Sequence, residues 1–359
     1  MVVDEPVWPD PLVDLGRQLD AMVASGVQTL RVVFDWSAAQ PYRSWSQVPS
    51  GQRGNFVDVG GIPTDFSAMD QLVGQASQRG LPVLPVILDA PSWDGQDYKG
   101  GIVTLPKTDG PYAAFAKALV RRYGPHGSFW STYRSAPRLP IHLWQIWNEP
   151  NIPAFWPPQP YYSRYLALLR AAHDAIKAAD PSAEIVLAGL PNYSWLELAR
   201  IYGHRGARNL FDVVAVHPYT KYPQGVITIL SYARAVMNQH GDKNKPLIAD
   251  ELSWPSSQGQ TTHNTGYDFA TTQSGQAQNI GKVLPMLVEN RFRLGLSGFY
   301  YYDWAGQDRP NYLAFDFSGL FHLDGGSFEA KPAFGVFKQA ALAMEGCRSK
   351  GSQATDCVK

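Results

Sequence analysis

Leu143-Trp144-Gln145-Ile146-Trp147-Asn148-Glu149-Pro150-Asn151 is an apolar run that passes into an amide–carboxylate pair and is stopped by a proline. A short apolar run bounded by a turn signal reads as a buried strand of a parallel sheet. Proline cannot continue a hydrogen-bonded ladder, so Glu149 belongs at the strand's C-terminal end. In open α/β sheets and in α/β barrels, active sites lie at that end. A lone Glu is most often a solvated surface residue or a cap. Flanking aromatics and the neighbouring amide set this one apart.

The same pattern recurs on both sides. Upstream, Thr29–Trp36 and Leu81–Leu88 are apolar strands, each preceded by a helical spacing that ends at a glycine, Gly26 and Gly80. A helix starting at Pro111, with Tyr112, Phe115, Leu119 and Val120 on one face, leads into the Glu149 strand. Downstream come strands at Glu184–Ala188, Val213–Tyr219, Pro246–Glu251 and Gly298–Trp304, separated by helical stretches. A last helix starts at Pro332, a residue suited to a first helical turn. Val2-Val3, closing at Asp4-Glu5, is a short candidate for an opening strand. Seven clear strands and this doubtful first, each followed by a helix, fit the eight units of a (β/α)8 TIM barrel. No dinucleotide fingerprint follows any strand to favour an open doubly wound sheet. With no low-complexity linker, residues 1–345 read as one barrel domain, and 346–359 as a short tail. The long segments Ser37–Thr64, Asp89–Gly110 and Ala305–Lys331 all follow strands and should gather at one mouth.

Composition narrows the partners. The chain of 359 residues has 31 basic and 31 acidic side chains, which gives no basic footprint for nucleic acid and no polybasic membrane patch. Its longest apolar run is far too short to span a bilayer. Aromatic residues make up 13%, with 11 Trp, and flat rings suit stacking on sugars. The two cysteines, Cys347 and Cys357, flank a loop softened by Gly351 and Ser352 and are expected to form a disulfide. That places the protein outside the cytoplasm, extracellular or periplasmic, although no signal peptide precedes Val2. A monomer is expected.

At the C-terminal ends of the strands stand Glu149 with Asn148, His217 with Tyr219, Asp250-Glu251 and Trp304, with Arg31 slightly inside an early strand. Paired carboxylates meeting at one mouth suit glycoside hydrolysis, where one donates a proton and the other stabilises positive charge at the anomeric carbon. The histidines are scattered and no ligand-spaced cluster exists, so neither metal nor cofactor is called for. Neither a nucleophile elbow nor a phosphate loop is present. Because neighbouring strand residues face opposite sides, only one of Asp250 and Glu251 is expected to point inward.

Trp147-Asn148-Glu149-Pro150-Asn151 resembles the acid/base strand of clan A glycoside hydrolases, and its extension to Phe155-Trp156 resembles family 39 especially, family 5 more distantly. Arg122-Tyr123-Gly124-Pro125, Ala215–Tyr219, Ile248–Glu251 and the closing Gly319-Leu320 and Lys331-Pro332-Ala333 extend the likeness from about Thr29 to Ala341. The resemblance implies a retaining β-glycosidase with Glu149 as general acid/base and Glu251 as nucleophile, on the fourth and seventh strands. It also implies Asn148 on the sugar 2-hydroxyl, Tyr219 and Arg31 holding the nucleophile, His217 near the acid/base and Trp304 flooring the reacting subsite. Arg31 has an alternative partner in Asp35, and Trp36, Trp93 and Trp156 are candidates either to touch sugar or to pack loops. Two departures stand out. No histidine follows the third strand, which reads Asp89-Ala90-Pro91-Ser92-Trp93, and no added β-sandwich of the kind family 39 xylosidases carry is present. A transglycosylase would use the same two carboxylates, and a non-catalytic sugar-binding barrel would have no need of both.

Overall fold

A computed structural model describes residues 1–4, 6–134, 137–260, 268–310 and 313–357. Glu5, read as the close of the opening strand, and the last two residues of the tail lie outside the described residues.

The apolar runs form two parallel sheets. One orders the strands Leu30–Asp35, Val83–Leu88, Leu143–Ile146 and Glu184–Val186, and the other orders Leu296–Tyr301, Leu247–Leu252 and Val214–Val216. Leu30 to Asp35 pair in unbroken register with Val83 to Leu88. Single bridges join the sheet edges. Val186 pairs in parallel with Val213, and the Leu187 amide donates to the Val213 carbonyl at 3.0 Å. At the other edges Val2 pairs with Arg31, and its own amide donates to Tyr301 O at 3.0 Å. The short opening stretch thus bonds on both sides.

Helices follow the strands: Leu15–Ala24, Ser67–Gln78, Asp109–Tyr123, Tyr162–Ala179, Ser194–Gly203, Pro223–Gln239, Gln273–Leu294 and Pro332–Met344. Local chemistry sets several ends. The side chains of Asp14 and Thr272 accept the amides of Arg17 and Gly275 as N-caps, and Pro223 and Pro332 sit in first turns. Gly295, at φ +58, closes the longest of these helices in the left-handed conformation that glycine adopts most readily.

The main core lies between helices and strands. A second, smaller cluster joins Val2, Leu84, Val186, Val213, Ala215, Ile248 and Tyr300, with Leu143 and Tyr302 packed against it. Its members come from nearly every parallel segment, so these strands turn one face toward a shared interior. The long segments after the strands carry small sheets of their own, Val57–Val59 with Ile62–Thr64, Gly95–Gln96 with Leu105–Pro106, and Phe321–Asp324 with Ser327–Ala330.

Cys347 and Cys357 are bridged, with Cα atoms 5.8 Å apart. The tail is docked rather than frayed: the Ala354 amide donates to Arg79 O at 2.8 Å, and the buried Lys350 ammonium reaches Glu345 at 2.7 Å. Thiol titration of the unreduced protein should therefore read no free thiol, and two after reduction. Two reactive thiols before reduction would contradict the pairing.

Candidate active site

The Leu143–Ile146 strand ends abruptly because its backbone turns left-handed at Trp147 (φ +70) and again at Glu149 (φ +42). A non-glycine residue there costs on the order of 1–3 kcal/mol, and such strain gathers at functional sites. Hydrogen bonds fix the turn: Trp147 N donates to Ile87 O at 3.2 Å, and Glu149 N to Gly189 O at 3.2 Å. Glu149 therefore projects from the C-terminal end of its strand.

Across the interior, the Leu247–Leu252 strand departs from the alternation expected of it. Its pairing with Leu296–Tyr301 is irregular between Ala249 and Leu252. Such an irregularity re-aims side chains. Asp250 and Glu251 consequently both reach the same interior cations, which corrects the expectation that only one could.

Arg31 is the hub. Its Nη1 donates to Glu251 Oε1, its Nη2 to Asn148 Oδ1 and its Nε to Gln145 Oε1, each at 2.8 Å, and Nε lies 3.4 Å from Asp250 Oδ2. Asp35, its alternative partner, instead caps the short helix Trp36–Ala39 by accepting from Ala38 N. Tyr219 OH donates to Glu251 Oε2 at 2.9 Å. His217 Nδ1 lies 2.6 Å from Glu149 Oε1 and 3.5 Å from Glu251 Oε2, while its Nε2 lies 3.4 Å from Asp250 Oδ2. Gln145 Nε2 donates to Asp250 at 2.6 Å. One oxygen of each glutamate and one nitrogen of His217 all lie within 4.8 Å of one another.

Burial and charge set the protonation states. Burial alone would strip the His217 proton, yet Glu251, Asp250 and Glu149 around it push its pKa up to about 10. Glu149 lies above its ordinary value because burial outweighs the hydrogen bond from His217. Asp250 is held low despite its burial, by His217 and Arg31. Arg31 is likewise buried, and Glu251 and Asp250 hold its charge. The donors of Glu149, His217 and Glu251 are close enough to suggest a metal, but a protonated imidazole has no free lone pair and Arg31 already neutralises Glu251. A metal there would have to displace the His217 proton and compete with Arg31 for Glu251.

Of the ten sequence-predicted site residues, Glu149, Glu251, Asn148, Arg31, His217 and Tyr219 come together. The tryptophans do not. Trp304 is fully buried, donates to Gln18 Oε1 at 3.0 Å and packs on Phe321 and Phe334, so it cannot floor a subsite. Trp36 and Trp156 are also wholly buried, among Tyr112 and Phe115 and among Trp147 and Tyr165 respectively. Trp93 donates to Gln40 O and faces a flank cavity of about 700 Å³ with Val57, Ile62 and Pro111, away from the glutamates.

Sequence reasoning missed Gln145 and Tyr302, and named Asp250 only to set it aside in favour of Glu251. Gln145 and Asp250 belong to the buried network, and the signal for Gln145 was a lone polar residue inside an apolar run. The ring of Tyr302 meets Phe315 at 5.9 Å, and its phenol is pushed well above its ordinary pKa, first by burial and then by Asp303, Glu251 and Glu149. Tyr302, two residues before Trp304, thus lies close enough to both glutamates to feel their charge.

Two outcomes follow. Asp250→Asn should bring the His217 titration down from about 10 toward its ordinary value of about 6.5, because a carboxylate favouring the cation is gone. Ring-proton NMR reads it, and an unmoved titration would remove Asp250 from this role. At Gly189 a Cβ would lie 1.9 Å from His217 Nε2. Gly189→Ala should therefore displace the imidazole and destabilise the protein by about 1–3 kcal/mol, read as a fall in Tm.

No family model and no curated protein matches the chain. Solved structures do. A glucosidase from Croceicoccus marinus aligns at a TM-score of 0.63 and 16% identity, covering 95% of this chain and 65% of that one. A monomeric β-xylosidase from Caulobacter crescentus gives 0.63 and 18%, covering 94% and 66%. A family 39 glycoside hydrolase from Bacteroides cellulosilyticus gives 0.63 and 17%, covering 95% and 63%. This chain thus spans just under two-thirds of the length of these proteins. Its structural neighbours are glycoside hydrolases of clan A, and at such identities what it shares with them is their fold.

Proposed function

We propose that the parallel segments close into a (β/α)8 barrel within residues 1–345, and that the chain is a retaining β-glycosidase with Glu149 as acid/base and Glu251 as nucleophile. The bonds from Val2 to both neighbouring edges, the Val186–Val213 bridge and the shared interior cluster support the barrel. The observation that carries the chemistry is the pair of carboxylates. One oxygen of each lies within 4.8 Å of the other, and this closeness supports the retaining arrangement, whose carboxyl groups stand about 5–5.5 Å apart, over the inverting one, at roughly 6.5–9.5 Å.

Their surroundings divide the labour. Glu251 accepts hydrogen bonds from Arg31 and Tyr219, as suits a carboxylate nucleophile. Glu149, raised by burial, suits a proton donor. In the first step a Glu251 oxygen bonds to the anomeric carbon while Glu149 gives its proton to the departing oxygen, and the glycosidic bond breaks. In the second, water attacks that carbon, Glu149 takes a proton from it, and the ester bond returns its electrons to Glu251. Asn148, whose Oδ1 accepts from Arg31, hydrogen-bonds the sugar 2-hydroxyl in this reading. A sugar hydroxyl replacing water would make the reaction a transglycosylation. The substrate is a carbohydrate, the working unit a monomer, and the bridged cysteines favour a compartment outside the cytoplasm.

The test separates the two glutamates. Glu251→Gln should nearly abolish turnover of every aryl β-glycoside. Glu149→Gln should still form the intermediate from a dinitrophenyl glycoside, slow its hydrolysis by roughly 10²–10⁴-fold, and regain turnover with azide as a β-glycosyl azide. Rescue of neither variant, or an α-azide from Glu149→Gln, would overturn the roles.

The pH profile provides a second check. Because Glu149 must enter protonated and its pKa is raised, activity should persist where an ordinary carboxyl is ionised and fall as pH rises through the raised value. Glu149→Gln should erase that alkaline limb of kcat/KM.

A further inference from the structure

The backbone that cradles Glu149 continues into an exposed run of aromatic rings. Glu149 N donates to Gly189 O, and Asn151 Nδ2 donates to Pro191 O at 3.0 Å, so residues 189–191 lie against the acid/base turn. The next two residues, Asn192 (φ +42) and Tyr193 (φ +40), are both left-handed. Asn tolerates that conformation, but a tyrosine there is strained. Tyr193 also occupies the N-cap of the helix Ser194–Gly203 without a side-chain cap bond, where Ser, Thr, Asp or Asn is preferred. Local physics thus argues against this residue twice, and its ring is 69% exposed, so core packing does not offset the strain. Rules broken without structural gain point to a role in binding.

The ring is not alone. Trp195 lies 5.6 Å from Tyr193 and 5.0 Å from Tyr232, and Tyr232 is 50% exposed on the neighbouring helix Pro223–Gln239. The rings meet at 72° and 55°, so they offer separate faces rather than the flat apolar surface that a docked helix or strand would need. Their phenol and indole tips supply hydrogen-bonding groups beside each apolar face. Separate faces with polar tips suit a chain of sugar rings whose apolar faces turn from one unit to the next.

We propose that Tyr193, Trp195 and Tyr232 bind the leaving-group side of a glycan chain, which makes the substrate an oligosaccharide or polysaccharide rather than a small aryl glycoside. The assignment of the side rests on the reading of Glu149 as acid: the group that protonates the departing oxygen faces the leaving sugar, and this run begins at its turn. The binding itself does not depend on catalysis.

The experiment uses the full chain carrying Glu251→Gln, so that glycans are bound and not consumed. Affinity electrophoresis against xylan, mannan, galactan and mixed-linkage glucan should show retardation by at least one. Tyr193→Ala with Tyr232→Ala should weaken it roughly tenfold or more, the scale of one aromatic contact of about 1.5 kcal/mol, whereas Tyr193→Phe should retain it. In the chain with both glutamates intact, the double alanine variant should lower the ratio of kcat/KM on that glycan to kcat/KM on an aryl glycoside. Loss of glycan binding in a chain that hydrolyses no glycoside would sustain the aromatic site while defeating the glycosidase reading. Retardation by none of the glycans, or equal retardation of the parent and the double variant, would overturn the proposal.

Discussion

One guanidinium organises the centre of this protein. Arg31 is buried among Glu251, Asp250, Asn148 and Gln145, which come from strands far apart in the chain. A buried cation is tolerated only when its donors are satisfied and its charge is balanced. Here both conditions fix the relative positions of the strand ends. Asn148 and Glu251 are oriented by the same planar fork, a geometry that a lysine could not reproduce.

The second imidazole-centred contact inherits that order. His217 touches Glu149 on one ring nitrogen and approaches Asp250 on the other. Its closeness to Gly189 leaves no room for a side chain at that position, so a glycine in the neighbouring strand-end segment is part of the imidazole's seat. Asp250 and Glu251 are neighbours in sequence with different environments. Asp250 has no solvent exposure and faces Gln145 and His217, while Glu251 meets Tyr219 and Arg31. The irregular pairing of their strand lets adjacent residues share one side.

Much of this was legible in the chain. Apolar strand runs, glycine stops and Pro332 marked the elements, because burial and backbone limits act locally. Glu149, His217, Tyr219 and Glu251 stood out because each closes such a run. Strand alternation misjudged Asp250, since an irregularity in pairing leaves no mark in composition. Trp304 was misread for a related reason: a tryptophan suits a sugar subsite and a core equally well, and only the path of the chain after Tyr301 buries this one. Gln145 is marked as polar in an apolar run, but its partner Arg31 comes from a distant strand, and no local pattern identifies that partner.

Val2 bonds to Arg31 on one side and to Tyr301 on the other. The two sheet edges it joins come from opposite ends of the sequence, so neither is covered by local structure as the chain emerges from synthesis. Until the strand ending at Tyr301 is made, Val2 lacks one of its neighbours. Contacts between residues so far apart in sequence form slowly, because a long loop must close first. Over that interval the unpaired edges can template pairing with another chain. Low concentration or a holding chaperone, which keeps those edges from meeting another chain during the wait, should therefore raise the yield of this protein.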